Sequence, residues 1–227
     1  MNFTMAAELA EMEGIQVDYV VVKDDVAVED STYSTGRRGI AGTVFVHKLA
    51  GAKAEAGATL AEVKAVAEKT VKNIRSMGMA MSSCIIPAVG KPGFELGELG
   101  IEIGMGIHGE PGVRRTDIMP AKDIAAELLG AIRADFDKDG GIDGCETALM
   151  VNGLGATPQM ELNILCAEAH RWLEAHNVHV YKTYVGNYMT SLEMAGCSLT
   201  LLRLDDELKA LLDAPADTPA FKEGKIS

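Results

Sequence analysis

Aromatic residues make up only 5% of this 227-residue chain, and Trp172 is its one tryptophan. The core must therefore be built from Ala, Val, Leu, Ile, Met and Gly, a usage that suits close helix–sheet packing. Cysteine is scarce and scattered: Cys84, Cys145, Cys166 and Cys197 form no CxxC pair. That argues against a disulfide framework or a paired-cysteine zinc site, and for buried thiols in a reducing compartment. No run of about 18 apolar residues exists to span a membrane. The N-terminus lacks a basic region followed by a long apolar run, so no signal peptide is read and a cytoplasmic location is expected. Basic charge is also short. Lys and Arg total 21 against 33 Asp and Glu, a net charge of −12. Up to Ile74 the chain holds 8 basic and 11 acidic residues, and from Arg75 onward 13 and 22. With both halves acidic, nucleic acid is not an expected partner.

What the chain does have is hydrophobic content, 48% of residues, and length enough for one large or two modest domains. Helical spacing covers residues 3–13, stopped by Gly14, and residues 40–56. Thr59-Leu-Ala-Glu62 is a capping box and opens a helix to about residue 74. Pro120 is expected at the first position of a helix to about Ala134. Thr157 as N-cap and Pro158 after it open a helix that ends near His176. Asp205 to Leu212 is a last helix, and residues 190–194 a short one. Strands are expected at Ile15–Val22, Met77–Ile86, Ile101–Ile107, Thr147–Val151, Val178–Tyr184 and Ser198–Leu204. The second and third of these suggest a long hairpin with a wide connection. The alternation of strand and helix argues an α/β fold.

The most informative stretch is Gly104-Met-Gly106-Ile-His108-Gly109-Glu110-Pro111-Gly112. It contains the letters of a dinucleotide-binding loop. That loop works only where a helix opens inside it, and here a Glu-Pro-Gly turn follows, so the nucleotide reading is rejected. His108 remains, alone among glycines that let backbone approach a ligand. An imidazole so placed can add to a carbonyl carbon, with backbone N–H groups holding the resulting oxygen. Such a site selects ketones and aldehydes over polyols. The other reading is a histidine hydrogen-bonded at a turn. His47 reads as a packed or half-exposed core histidine on a helix, and no Cys or carboxylate accompanies His170, His176 and His179 at metal-ligand spacing.

Asp135, Asp137, Asp139 and Glu146 match a calcium-loop pattern at every fixed position. The segment after them reads as a strand rather than the exit helix, so an acidic, glycine-rich turn is the competing account and no metal is assigned. Arg37, Arg38, Arg114 and Arg115 could meet phosphate. In so acidic a chain they read as solvated or salt-bridged.

Several segments taken together resemble a known family. They are Val26-Ala-Val-Glu-Asp30, Gly36-Arg-Arg-Gly-Ile-Ala-Gly-Thr-Val44, Ile107-His-Gly-Glu-Pro-Gly112, Val151-Asn-Gly-Leu-Gly-Ala-Thr-Pro158, Tyr188-Met-Thr-Ser-Leu192 and Asp213-Ala-Pro215. They are similar to the dihydroxyacetone kinase substrate-binding (DhaK-type) family, and the resemblance covers essentially the whole chain. It implies two α/β units with mixed sheets flanked by helices. Residues 1–74 would be the C-terminal remnant of the first, truncated at its N-terminus, and residues 75–227 the second unit, with the ligand where the two meet. It implies that His108 anchors dihydroxyacetone covalently as a hemiaminal, with Gly106 and Gly109 beside the substrate. The chain itself would bind no cofactor. The phosphoryl donor, ATP-Mg or a phosphotransferase relay, would sit on a nucleotide-binding DhaL-type partner, and the assembly would be a homodimer serving glycerol metabolism. The family also carries a further N-terminal stretch of about a hundred residues, a length of domain scale. That stretch holds a Gly-Gly-Gly-Ser-Gly-His-Glu-Pro loop and, just before the equivalent of Asn2-Phe3, a Gly-Asp pair whose Asp is the general base. Neither is in this sequence. A dihydroxyacetone-binding sensor or a truncated fragment are therefore the alternatives to a kinase subunit.

Overall fold

The structure, a computed structural model, describes residues 2–29, 36–107 and 110–224. The helices are α1 (Asn2–Met12), α2 (Gly42–Glu55), α3 (Leu60–Asn73), α4 (Ala121–Asp137), α5 (Gln159–Ala175) and α6 (Asp206–Asp213). The main sheet contains β1 (Ile74–Ala80), β2 (Gly100–Ile103), β3 (Arg114–Asp117), β4 (Glu146–Gly153), β5 (His179–Gly186) and β6 (Gly196–Arg203). Its strand order is β3-β2-β1-β6-β4-β5. Only β4 and β5 run parallel, joined through α5; every other pairing in it is antiparallel. Two short strands, β7 (Ala216–Asp217) and β8 (Lys222–Glu223), pair near the C-terminus.

Both faces of the sheet are covered, which is why its central strands read as nearly unbroken apolar runs. Met77, Met79, Leu149, Val151, Leu199 and Leu201 point to α4 and α5, against Leu128, Ile132, Phe136, Leu162 and Leu173. Ile74, Ala148, Met150 and Leu202 point the other way, against Phe45 and Leu49 of α2, Val66 of α3 and Leu208 and Leu212 of α6. The mixed sheet flanked by helices is the expected fold class. α2 and α3 lie on one face of the six-stranded sheet, whose β1 starts at Ile74.

The capping box at Thr59 forms as read, with Glu62 returning its carboxylate to the Thr59 N–H at 2.8 Å. The β1–β2 hairpin also forms, with Met79 opposite Ile103. Four expectations are corrected. Residues 15–19 are all exposed, and alternation begins only at the end of this segment, with Val20 and Val22 against the core and Val21 outward. Among the described residues no strand ladder runs beside residues 15–22, and pairing begins only with a bridge from Asp25 to Ser76. Alternation supplies a face, but a strand needs a neighbour's backbone. Residues 190–194 do not form a helix. Leu192 has φ +53°, and Ser191 and Met194 bond instead to Leu154 and Ala156. Thr157 is not the cap of α5, because its hydroxyl both donates to Gly196 O and accepts from Gly196 N. Finally, β3 was not foreseen. An edge strand reading Arg-Arg-Thr-Asp is mostly exposed and shows no apolar period to detect, as suits a protected edge.

Phe45 is fully buried and meets Tyr184 edge-on, with ring centroids 5.7 Å apart. Phe45→Ala should cost about 3–5 kcal/mol of stability by removing the side chain that seats α2 on the sheet. Urea denaturation monitored by circular dichroism measures this; a loss below 1 kcal/mol would mean that α2 is not held by that contact.

Candidate functional site

The glycine-rich stretch lies between β2 and β3, and its described residues open no helix. Its ends are fastened tightly. Gly104 N–H donates to Gly78 O at 2.7 Å and Val113 N–H to Ile103 O at 2.8 Å. Gly112 N–H donates to Glu102 Oε1 at 2.6 Å, and the other oxygen of that carboxylate accepts from Arg115 Nε at 3.0 Å. Inside these feet Gly106 N–H meets Glu110 O at 3.3 Å. Met105 and Ile107 turn inward, onto Ala80, Cys84, Leu154 and Met194. His108 and Gly109 lie outside the described residues.

Two glycines here have definite physical reasons. Gly104 has φ +77°, a conformation that costs a side-chain-bearing residue steric strain. At Gly106 a Cβ would fall 2.3 Å from Glu110 Oε2 and 2.9 Å from Arg38 Nη1. Only a residue without a side chain leaves room for both groups to close on the backbone there.

Arg38 reaches this loop from the segment before α2. Its Nε donates to Asp25 Oδ2 at 2.8 Å, its Nη2 to Gly104 O at 2.8 Å, and its Nη1 to Pro111 O at 3.4 Å. Asp25 is buried, and desolvation pushes its carboxyl up to about 6 against the pull of Arg38 and the Ala27 N–H. Its neighbour Asp24 is also fully buried, and burial raises its carboxyl too. Asp24 accepts from Ile40 N–H and Gly42 N–H, both at 2.8 Å, and so holds the start of α2. Sequence reasoning did not find Asp24, Asp25 or Glu102. The signal for the first two is an acidic doublet interrupting the apolar run Val20–Val28.

The four residues of the calcium-loop pattern do not converge. Asp135, nearly buried at the end of α4, accepts from both terminal nitrogens of Arg37 at 2.7 Å and from Arg75 Nε, with Lys138 Nζ at 3.2 Å. These cations, Arg37 first, hold its carboxyl well below the usual range. Glu146 sits at the start of β4 and pairs with Lys209 at 2.7 Å. Asp139 instead faces Arg203, 3.7 Å away. Among the described residues no group of three or more His, Cys, Asp or Glu could hold a metal ion. The acidic, glycine-rich turn is what forms. His170 bonds Thr183 and His176 bonds Trp172 O, each a local structural contact. A groove of about 880 Å³ between α2 and the C-terminal hairpin is lined by Val44, Lys48, Tyr188 and Phe221 among others and by no described residue of the 104–112 loop.

Asp135 gains its partners only on folding. Its carboxyl is lowered in the folded state, so the stabilisation is complete above about pH 4 and fades as pH falls below that. Asp135→Asn should remove about 3 kcal/mol at pH 7 and leave a shallower acid limb than the wild type shows between pH 4 and 2. Denaturant titrations at several pH values read both effects; parallel acid limbs would sink the assignment.

A family model for the Dak1 domain matches residues 1–220. The dihydroxyacetone-binding subunit DhaK of a PTS-dependent dihydroxyacetone kinase from Listeria innocua is 51% identical over 97% of this chain and 67% of its own length. Other DhaK subunits match over 61% and 66% of theirs, so the chain spans about two thirds of these relatives. Among solved structures, the dihydroxyacetone kinase operon co-activator DhaQ superposes with a TM-score of 0.85 at 35% identity, over 94% of this chain and 65% of that one. The dihydroxyacetone kinase of C. freundii, in complex with AMP-PNP and Mg²⁺, gives 0.86 at 30% identity over 100% of this chain and 41% of that one. Sequence and fold agree, and the chain belongs to the Dak1 family, the family of the dihydroxyacetone-binding kinase subunits.

Proposed function

We propose that this chain is the substrate-binding part of a dihydroxyacetone phosphotransferase and holds dihydroxyacetone as a hemiaminal on His108. The observation that carries the reading is the Ile107-His-Gly-Glu-Pro-Gly112 segment, in a chain 51% identical to a dihydroxyacetone-binding subunit. In the step proposed, the unprotonated ring nitrogen adds to the ketone carbon. The carbonyl oxygen takes up a proton and becomes a hydroxyl, and the ring gives up the proton of its other nitrogen. No group leaves, so the step is reversible and needs no co-reactant. Gly106 and Gly109 leave backbone close to the bound ketose. The phosphoryl donor, ATP-Mg or a phosphotransferase relay, sits on a separate DhaL-type subunit, and the chain works as a cytoplasmic homodimer. No helix among the described residues is long and apolar enough to cross a membrane.

A second reading is a dihydroxyacetone-responsive regulatory protein. The likeness to an operon co-activator favours it.

Carbon NMR with carbonyl-labelled dihydroxyacetone tests the adduct. The bound carbon should move from the ketone to the tetrahedral region, and native mass spectrometry should show one ketose per chain; His108→Ala should abolish both. A folded wild type with no tetrahedral signal would refute the covalent reading. In a coupled assay this chain alone should turn over very weakly or not at all; phosphorylation of dihydroxyacetone once a DhaL-type partner and ATP-Mg are added would exclude the purely regulatory role, and a folded, ketose-binding chain that stays inactive with them would support it.

A further inference from the structure

We propose that Arg38 and Asp25 are positioning residues for the substrate loop, setting the separation of its two feet at Gly104 and Pro111. The proposal rests on the reading of His108 as the substrate anchor, and it concerns residues to which no role has so far been given.

The geometry is that of a rigid bracket. Ser76 N–H donates to Asp24 O at 2.7 Å, and Val26 N–H to Ser76 O at 2.9 Å, so the acidic doublet is tied to β1 by backbone on both sides. Asp25 N–H then bonds Arg38 O at 3.2 Å. The Asp24 carboxylate holds Ile40 and Gly42 just beyond. The backbone of Arg38 is thus fixed before its side chain does anything. One face of the guanidinium fork is filled by Asp25, whose Oδ2 lies 2.8 Å from both Nε and Nη2. The donors left over reach two carbonyls that are seven residues apart in sequence and belong to the same loop, Gly104 O and Pro111 O. Gly104 is also anchored to β1, at Gly78, two residues beyond Ser76. The strand, the doublet, the arginine and the loop form a closed circuit.

Stability alone does not explain this arrangement. A buried ion pair is rarely better for folding than apolar side chains of the same size. An arginine whose spare donors both land on one loop instead constrains shape, because its fork is planar and rigid where an ammonium is a point charge. Asp25 keeps the guanidinium oriented and neutralised. The charged groups facing the pair are Asp24 on the same turn and Glu110 across the loop, whose carboxylate closes on Gly106 beside Arg38.

The discriminating variant is Arg38→Lys. It keeps a positive charge beside Asp25, so the protein should still fold, with the thermal midpoint lowered by no more than the loss of one or two hydrogen bonds accounts for. It cannot hold both carbonyls, so the half-saturating dihydroxyacetone concentration for the tetrahedral carbon signal should rise between about tenfold and a hundredfold, as for a reacting group displaced by about 1 Å. Amide exchange at Gly106 and Gly112 should quicken while the Leu149–Val151 amides of β4 stay protected. Wild-type affinity in a folded Arg38→Lys protein would overturn the proposal. Should the wild type itself form no adduct, the reading of His108 falls, and the exchange measurement judges the bracket alone: unchanged exchange at Gly106 and Gly112 would refute it. If Arg38→Lys does not fold, the neutral double variant Asp25→Asn/Arg38→Gln removes both charges of the pair together and is read by the same two measurements with the same outcomes.

Discussion

A single buried guanidinium ties the segment before α2 to the glycine-rich connection between β2 and β3. Arg38 is only 7% exposed, and a charge so far from water must be neutralised and fully hydrogen-bonded to persist. Asp25 neutralises it; two loop carbonyls take up its remaining donors. Asp25 in turn is desolvated beside Asp24, a second buried carboxylate, whose oxygens are engaged by the first amides of α2. Among the described residues no buried side-chain nitrogen or oxygen is left without a partner. Networks satisfied in this way are rigid, since removing any member strands another in low dielectric. That rigidity is delivered to a loop whose own composition, four glycines in nine residues, would otherwise leave it loose.

The sheet makes the network possible. β1 lies between β2 and β6, so its buried Ser76 can bond sideways to Thr200 of β6 at 2.6 Å while its backbone faces the acidic doublet. A polar strip through the middle of the sheet, Ser76, Thr200, Ser198 and Asn152, interrupts the apolar face under α2 and α6. Asn152 spends its amide on Met189 O and Ser198 and accepts from Tyr188 and Met189 N–H. Loops 81–99 and 187–195 meet at one end of the sheet through Ser82, Cys84, Ile85, Ser191 and Glu193, and Met105 packs there against Cys84, Leu154 and Met194.

What was legible in the sequence follows local physics. The helices announced themselves through spacing and through caps such as Thr59, which accepts from a first-turn amide. The central strands showed as apolar runs because both their faces are buried. The glycine loop and its histidine stood out by composition. The failures share a cause: they depend on partners distant in sequence. Residues 15–22 are rich in valine, as a strand is, without the adjoining ladder. Thr157 has the chemistry of a cap but is claimed by Gly196, 39 residues on. Asp135 begins a letter-perfect calcium pattern but is taken by Arg37 and Arg75, 98 and 60 residues away. The Arg38 bracket spans 66 and 73 residues, and no window of sequence contains both of its ends.

The disposition of charge bears on how phosphate could be transferred in the proposed reading. Stabilising a phosphoryl group in flight takes cations that are free to approach its oxygens. The arginines nearest the glycine loop are already engaged: Arg38 by Asp25, Arg115 by Glu102, Arg114 by Glu127 and Arg37 by Asp135. Each spends its charge on holding the fold. Reclaiming one for phosphate would leave a buried or half-buried carboxylate unpaired, a loss comparable to what the new contact would gain. In a chain of net charge −12, an incoming phosphoryl donor meets repulsion unless it arrives with positive charge of its own. In the proposed reading, a site built this way would suit the capture of a small neutral ketose, and the electrostatic part of the transfer would fall to a subunit that carries the donor together with the cations that neutralise it.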